Sequence, residues 1–416
     1  MSRMLALVKE KPVISESWPE GFRLEERPVP EISRPDQVKV EVLMAGICGT
    51  DVGIYHSKST IKAEMTAMGG KSVITGHEFC GVVTDAGQMA RETLARSFLE
   101  KSLNDPEPEL QRFIGERTFH QIAADPQFLD VLKEYFYITA EMHIVCGVCY
   151  QCRTGNGHAC QNTRIKGIHE DGVFARYTII PVNNALLIKK GEIPPEVIAF
   201  MDAFGNALHT TSSVDLQGAS VAILGSGVQG LMATAIAKRG GASLIINTDV
   251  SNPAGGVTQE KLKKNRFSIA YRVGARYAFD MALSDSRKKL IETVMRETQN
   301  TGVDAVFEMS GSPGAYYDAL DILRMGGTFA LLGIPAGDIT LDFSNKIIFR
   351  GLNIKGIIGR KMFGTWETMY RLLKDGMAAQ MMENGYVSHK FPLNEFEKGF
   401  EAHERGEAIK VILIPE

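Results

Sequence analysis

The chain has 416 residues, 44% hydrophobic and 23% charged, with a formal net charge of -3. That is ordinary globular composition, long enough for two cores, and it excludes a low-complexity or disordered chain. No basic stripe points to nucleic acid. The N-terminal MSRMLALVKEKPVISESW has no long apolar run, so neither a signal peptide nor a membrane span is expected.

Residues 1–87 read as β-rich, with Val/Ile runs such as Val38 to Ile47 and Ser72 to Val83 broken by Gly and Pro. Within them GICGTD holds Cys48 and Thr50, and TGHEF holds His77 and Glu78. Cys48, His77 and a carboxylate make the mixed S/N/O donor set of a catalytic zinc, which keeps one position open for water or substrate. Read singly, they are a small buried hydrophobe, a turn histidine and a solvated charge, and spacing alone does not make them converge. Cys80 reads as core.

From about Gln88 to Glu134, ARETLARSFLEKSL, PELQRFIGERTFHQIAA and DPQFLDVLKEYF carry apolar residues at helical spacing. Asp105, Pro106, Pro108 and Pro126 punctuate them. Phe98, Leu99, Phe113, Ile114, Phe128 and Leu129 need burial, which favours a helical insert over a disordered linker. It holds no Cys and a single His, His120, so it adds no evident metal chemistry.

Cys146, Cys149, Cys152 and Cys160 follow as C-x2-C-x2-C-x7-C. Four soft thiolates on a short tether fit a tetrahedral Zn2+. Disulfides and an iron–sulfur cluster are the rival readings. Spacing this close disfavours separate bridges, and nothing else in the chain suggests electron transfer. Reduced thiols without an export signal point to the cytoplasm.

Strand character returns in VFARYTIIPVNNALLI. From Gly218 the short apolar runs SVAILGSG, LIINTDV, ARYAFD, VDAVFEMSG, GTFALLGI and NIKGIIG are mostly separated by helical segments, the mark of a parallel doubly wound sheet. Gly225-Ser226-Gly227-Val228-Gln229-Gly230 follows the first of these strands and opens a helix. In that context Gly225 permits a tight turn, Gly227 admits a pyrophosphate and Gly230 lets helix and strand pack closely. Asp249, about twenty residues on, suits the adenosine ribose hydroxyls and repels a 2′-phosphate, which favours NAD over NADP. The tail from Phe363 reads as two helices flanking YVSHKF, then a closing strand KVILI.

GICGTD, GHE, the four-cysteine run and GSGVQG, in that order, resemble the zinc-dependent medium-chain alcohol dehydrogenases across nearly the whole chain apart from two inserts. HIVCGVCYQC, DAFGNALHT, LLGIPAG and IFRGLNIKGIIGRKMFGTW carry a closer likeness to the members that oxidise L-threonine. The resemblance implies an α/β fold. A GroES-like β-rich catalytic domain would span 1–203 and 359–416, with the helical insert at about 88–134 and a structural zinc lobe at about 143–163. A Rossmann doubly wound parallel-sheet domain would span 204–358.

It further implies Cys48, His77 and Glu78 as the catalytic zinc set, Asp202 as a fourth, exchangeable ligand and Thr50 as the first hydroxyl of a proton relay. Cys146, Cys149, Cys152 and Cys160 match the structural zinc lobe. Gln229, Asp249 and Arg266 match positions near the pyrophosphate and adenosine ribose of NAD, and Leu332, Gly333, Ile334, Ile357 and Ile358 those around its nicotinamide half. The expected protein carries two Zn2+ per chain and NAD. It oxidises a small secondary alcohol, L-threonine (to 2-amino-3-oxobutyrate) or a related β-hydroxy amino acid first, a polyol or other secondary alcohol next. It is a homo-oligomer, tetramer or else dimer, with no nucleic-acid or membrane partner. A silent NAD-binding structural protein is the remaining reading, and the presence of Cys48, Thr50, His77 and Glu78 argues against it.

Four departures stand out. Gly53 occupies the place of the family's relay histidine, with His56 nearby. Ala203 replaces a common proline. The first insert is expected as an oligomer contact or lid. A second, roughly Val250 to Lys264, separates Asp249 from Arg266 at the adenine end.

Overall fold

The computed structural model describes residues 2–13, 16–66, 70–103, 105–335 and 337–415; Met1, Glu416 and Ala336 of the LLGIPAG stretch lie outside them. The N-terminal part and the tail share one antiparallel-dominated sheet. Its order is Ala185–Lys189, Phe136–Ala140, Phe79–Ala86, Gln37–Gly46, Lys410–Ile414 and Val387–Pro392, with Tyr177–Pro181 also paired to Gln37–Gly46. Val38, Val40 and Val42 alternate inward along the central strand, as period-two patterning dictates. The closing strand KVILI lies antiparallel to Gln37–Gly46, so the last residues of the chain complete the sheet begun by the first hundred.

The run Ser72 to Val83 is two strands. Ser72–Ile74 pairs with Arg3–Glu10, whereas Phe79–Ala86 joins the larger sheet. Gly76 makes the break: its φ is +86°, and a Cβ there would stand 2.5 Å from the Phe174 ring. The bend sets His77 and Glu78 between two sheets rather than inside one.

All six expected runs of the second half form one sheet, in the order Tyr277–Asp280, Leu244–Asp249, Ser220–Leu224, Val303–Glu308, Leu323–Leu331, Asn353–Gly356, every pairing parallel. Val221, Ala222, Ile223 and Leu224 are all buried because helices cover both faces. Val221, Ile223 and Phe307 belong to a cluster that also takes in Cys80, Phe200, Trp366 and Ile412, a dry core continuous with the first sheet.

The first insert is helical: Gln88–Ser102, Pro108–Ile114, Phe119–Ala124 and Phe128–Tyr135. Phe98, Ile114 and Phe128 are buried, and Leu99, Phe113 and Leu129 pack against the same core. Phe98 meets Phe113, Phe128 and Phe136 edge-on at 5.6–6.1 Å between centroids, so the insert is welded into the first sheet's core.

Candidate metal centre and cofactor site

Cys48 caps the helix Gly49–Tyr55, and its backbone N–H donates to Asp51 Oδ2 at 2.9 Å. This pins the thiol at the end of strand Gln37–Gly46, beside the bend that carries His77 and Glu78. One donor atom each from Cys48, His77 and Glu78 lies within 4.8 Å of the others. Asp51, fully buried, stands behind the imidazole with Oδ1 3.5 Å from His77 Nδ1. Burial pushes the Asp51 carboxyl up to about 6, against the pull of His77.

Glu78 divides its two oxygens. Oε2 accepts from the Lys410 ammonium at 2.6 Å, and Lys410 also donates to the Ile47 carbonyl at 2.8 Å. Burial opposes the charge on Lys410, but Glu78 outweighs it and raises the ammonium's pKa. Glu78 Oε1, His77 Nδ1, Asp51 Oδ1 and Asp202 Oδ1 are buried with no hydrogen-bond partner. Buried polar atoms left this way cost on the order of 1–3 kcal/mol each. A sulfur–imidazole–carboxylate set around such orphaned atoms fits a zinc ion.

Asp202 lies outside the convergent group. Its Oδ2 accepts from Arg360, itself buried, which also holds Glu141 through two bonds and Asn206 Oδ1 at 3.1 Å. Trp366 Nε1 donates to Glu141 Oε2 at 2.8 Å. Burial pushes the Glu141 carboxyl up, but Arg360 and His143 outweigh it and hold it well below the usual carboxylate range. Only Asp202 Oδ1 is left facing away from this network without a partner.

The four cysteines of the second cluster also bring their sulfurs within 4.8 Å of one another. Their Sγ–Sγ contacts of 3.5–3.8 Å are too long for a disulfide, whose bond is about 2.05 Å. Backbone N–H groups of Cys149 and Asn162 point at Cys146 and Cys160 Sγ at 3.4 and 3.3 Å. The N–H groups of Val148 and Cys149 lower the Cys146 thiol to about 6, while burial and the neighbouring thiols push Cys152 up to about 12. Such crowding suits a shared dication. The remaining thiol, Cys80, is buried, and burial raises its pKa.

Gly225 (φ +107°) makes the turn after Ser220–Leu224, and Gly227 caps the helix Val228–Arg239, with Gln229 in its first turn. A Cβ on Gly230 would sit 1.8 Å from the Gly225 carbonyl oxygen, so only glycine lets this helix approach. Asp249 ends its strand and reaches back to the loop: Oδ2 accepts from Ser226 N at 3.2 Å and from Arg266 Nη1 at 2.8 Å. Leu332 and Gly333 N–H groups donate to the Glu308 carbonyl, and Ile357 N–H to Leu331 O at 2.9 Å. This brings together the two segments expected beside the nicotinamide. Ile334 and Ile358 beside them are 79% and 61% exposed, an apolar platform at the same end of the sheet.

Thr50 is half-buried two residues after Cys48, and Gly53 is buried in the same helix. His56 Nε2 stands 3.2 Å from Glu404 Oε1, so it is engaged with a carboxylate of the tail. Asp51, Lys410, Glu141 and Arg360 are the site residues that sequence reasoning missed. Asp51 had a signal in GICGTD, an acid three residues after a helix-capping Cys. Lys410 had one as a charge at the head of an apolar closing strand. Glu141 had none.

Residues 34–95 match the alcohol dehydrogenase GroES-like domain family, and residues 229–375 the zinc-binding dehydrogenase family. The L-threonine 3-dehydrogenase of Shewanella frigidimarina (strain NCIMB 400) is 36% identical over 415 residues, 99% of each chain. That of Caldanaerobacter subterraneus subsp. tengcongensis is 33% identical over 407 residues, 97% of this chain and 98% of its own. A zinc-binding dehydrogenase of Sinorhizobium meliloti 1021, solved bound to NADP, superposes with a TM-score of 0.72 at 25% identity, covering 100% of both chains.

Proposed function

The chain belongs to the zinc-dependent medium-chain alcohol dehydrogenases, with a GroES-like and a zinc-binding dehydrogenase part, and from that premise we propose that it oxidises the 3-hydroxyl of L-threonine or a related β-hydroxy amino acid with NAD. The supporting observation is the meeting of Cys48, His77 and Glu78 from two separate segments around buried, unpartnered donor atoms. Full-length relatives named L-threonine 3-dehydrogenase support the substrate. We assign residues 1–203 and 359–416 to the catalytic part and 204–358 to the cofactor part.

When bound, zinc supplies Lewis acidity toward a substrate hydroxyl, and NAD+ supplies the hydride acceptor. The chain's own groups prepare both. Cys48, His77 and Glu78 would hold the metal, Asp51 orients His77, and Lys410 keeps one Glu78 oxygen occupied so that Oε1 faces the site. Thr50, two residues after Cys48, is the first acceptor of the hydroxyl proton. Asp202, with Oδ1 free and Oδ2 fixed by Arg360, is positioned to hold the substrate or serve as an exchangeable ligand. Cys146, Cys149, Cys152 and Cys160 would hold a second, structural zinc. Gly225, Gly227, Gln229 and Gly230 cradle the pyrophosphate, Asp249 with Arg266 the adenosine ribose, and Leu332, Gly333, Ile334, Ile357 and Ile358 the nicotinamide half. The Asp249 carboxylate favours NAD over a 2′-phosphorylated dinucleotide.

Among the described residues no helix is long and apolar enough to cross a membrane. Six unpaired thiols support a cytoplasmic setting. A homo-oligomer, tetramer or else dimer, belongs to the same reading: Asn353–Gly356 is the last strand of its sheet, and Ile348, Phe349 and Ile354 around it are exposed.

The test is NADH formation from a panel of L-threonine, a polyol and a hydroxy acid. Robust turnover of another alcohol with none of L-threonine would remove the substrate while leaving the chemistry. No turnover of any alcohol by zinc-loaded protein would remove the enzyme.

A further inference from the structure

The second insert leaves the parallel sheet after Asp249 and runs into the helical segment Leu262–Phe267, which carries Arg266. Between them it touches the other half of the molecule. Gly256 and Gly406 mark the crossing. A Cβ on Gly256 (φ +83°) would stand 2.7 Å from the Glu404 carbonyl oxygen, and one on Gly406 (φ +66°) would stand 2.5 Å from Val257 Cγ2. Each side thus presents a glycine where the opposite chain needs room, and the two backbones lie in direct contact. Lys261 fastens the crossing: its ammonium donates to the Arg405 carbonyl at 2.8 Å and to Glu407 Oε1 at 2.9 Å. Glu404, at the end of the helix Phe396–Glu404, takes His56 Nε2 at 3.2 Å, which carries the contact on to the helix capped by Cys48.

The elements on the two sides differ in allegiance. Asp249 ends a strand of the parallel sheet, and Arg266, in the helical segment Leu262–Phe267 after the insert, donates to it at 2.8 Å. Glu404–Glu407 lead into Lys410–Ile414, a strand of the other sheet. Elsewhere the halves are joined by a dry apolar cluster that includes Cys80, Ile412, Val221 and Leu231. That joint is fixed. The crossing at Lys261 is polar, and Lys261 and Glu407 are 33% and 41% exposed. An ion pair so placed is individually weak and can open on its own. A permanent apolar joint on one side and a weak polar fastening on the other describe a hinge and a clasp.

We propose that the insert is a clasp at the adenosine end of the cofactor site, whose fastening by Lys261 slows release of the reduced dinucleotide. This rests on the dinucleotide-binding reading above. Lys261 touches neither reacting atoms nor, by its contacts, the ribose carboxylate. It acts by tying the chain segment that carries Arg266, and through it Asp249, to the catalytic half.

The test compares zinc-loaded wild type with Lys261→Ala and Lys261→Arg, using NADH and AMP as probes. NADH spans both halves, whereas AMP occupies only the adenosine pocket. Stopped-flow NADH fluorescence should show dissociation about three- to tenfold faster in Lys261→Ala and largely restored in Lys261→Arg, with the AMP dissociation constant unchanged within about twofold. An unchanged NADH off-rate overturns the clasp. So does a loss of AMP affinity equal to that for NADH, which would make Lys261 a prop for the adenosine pocket. Failure of the wild type itself to bind NADH overturns both the clasp and the dinucleotide reading, and so separates the two failures.

Discussion

Cys48 offers the plainest test at a single atom. Replacing it with Ser exchanges a thiolate for a hydroxyl that will not ionise at neutral pH. Turnover should fall by roughly 10^3 or more, the scale of several kcal/mol of charge stabilisation lost. NAD should still bind, because its contacts lie on the other sheet. Asp249→Asn tests the ribose contact proposed for this carboxylate. It removes the charge that pairs with Arg266 and repels a 2′-phosphate, so the NAD dissociation constant should rise about tenfold and the preference over NADP should narrow, as read by fluorescence titration of both. His403 governs acid stability. Burial, aided by the Lys410 and Arg266 cations, lowers its imidazole to about 4, and its Nε2 is buried without a partner. The unfolded imidazole titrates near 6.5, so between these values the unfolded chain binds more protons. The stability present above pH 6.5 is therefore lost as pH falls toward 4, by on the order of 3 kcal/mol. The urea midpoint should drop between pH 7 and 5 in wild type and drop less in His403→Gln.

The four-cysteine lobe is the element with the least structure of its own. It is held by the two-stranded pair His143–Ile144 with Arg164–Ile165, one short helix Tyr150–Arg153 and a 3-10 turn, with Val148 and Tyr150 exposed at its tip. An element this small folds around its metal rather than around a core. Cys149→Ser should lower zinc content by one ion per chain and melt the lobe first, seen as faster proteolysis between residues 145 and 162 while NAD binding persists. The first insert behaves oppositely. Its aromatic face is spent inside the first sheet's core, so its helices were legible from periodicity and its burial from composition. What periodicity missed was the break at Gly76. Ser72 to Val83 carries strand character at both ends, and the turn between them depends on Gly76, whose φ of +86° and lack of a Cβ beside the Phe174 ring, nearly a hundred residues away, only the tertiary structure shows.

At the scale of the whole molecule, one of the parallel sheet's two edges carries exposed apolar residues beside it. Asn353–Gly356 pairs on one side only, with exposed Ile348, Phe349 and Ile354 nearby. An edge of this kind invites pairing with a second copy about a two-fold axis. Ile354→Lys should reduce the solution mass measured by light scattering toward that of a smaller assembly. An unchanged mass would place the subunit contact elsewhere.

The sequence by itself determined which elements form and which donors exist. Glycine spacing after an apolar strand points to a dinucleotide turn, and four cysteines on one short tether favour a shared metal over separate bridges. Both signals are local, and local chemistry is what a sequence states directly; that the four sulfurs sit 3.5–3.8 Å apart without a disulfide is read from the structure. Tertiary structure decided how the donors are shared. Glu78 gives one oxygen to Lys410, which lies 332 positions away, and Asp202 gives one to Arg360, 158 positions away. No periodicity encodes those pairings. They exist because the closing strand enters the first sheet and because the segment after Asn353–Gly356 folds back over the helix Met201–Thr211, burying charges that must then find one another.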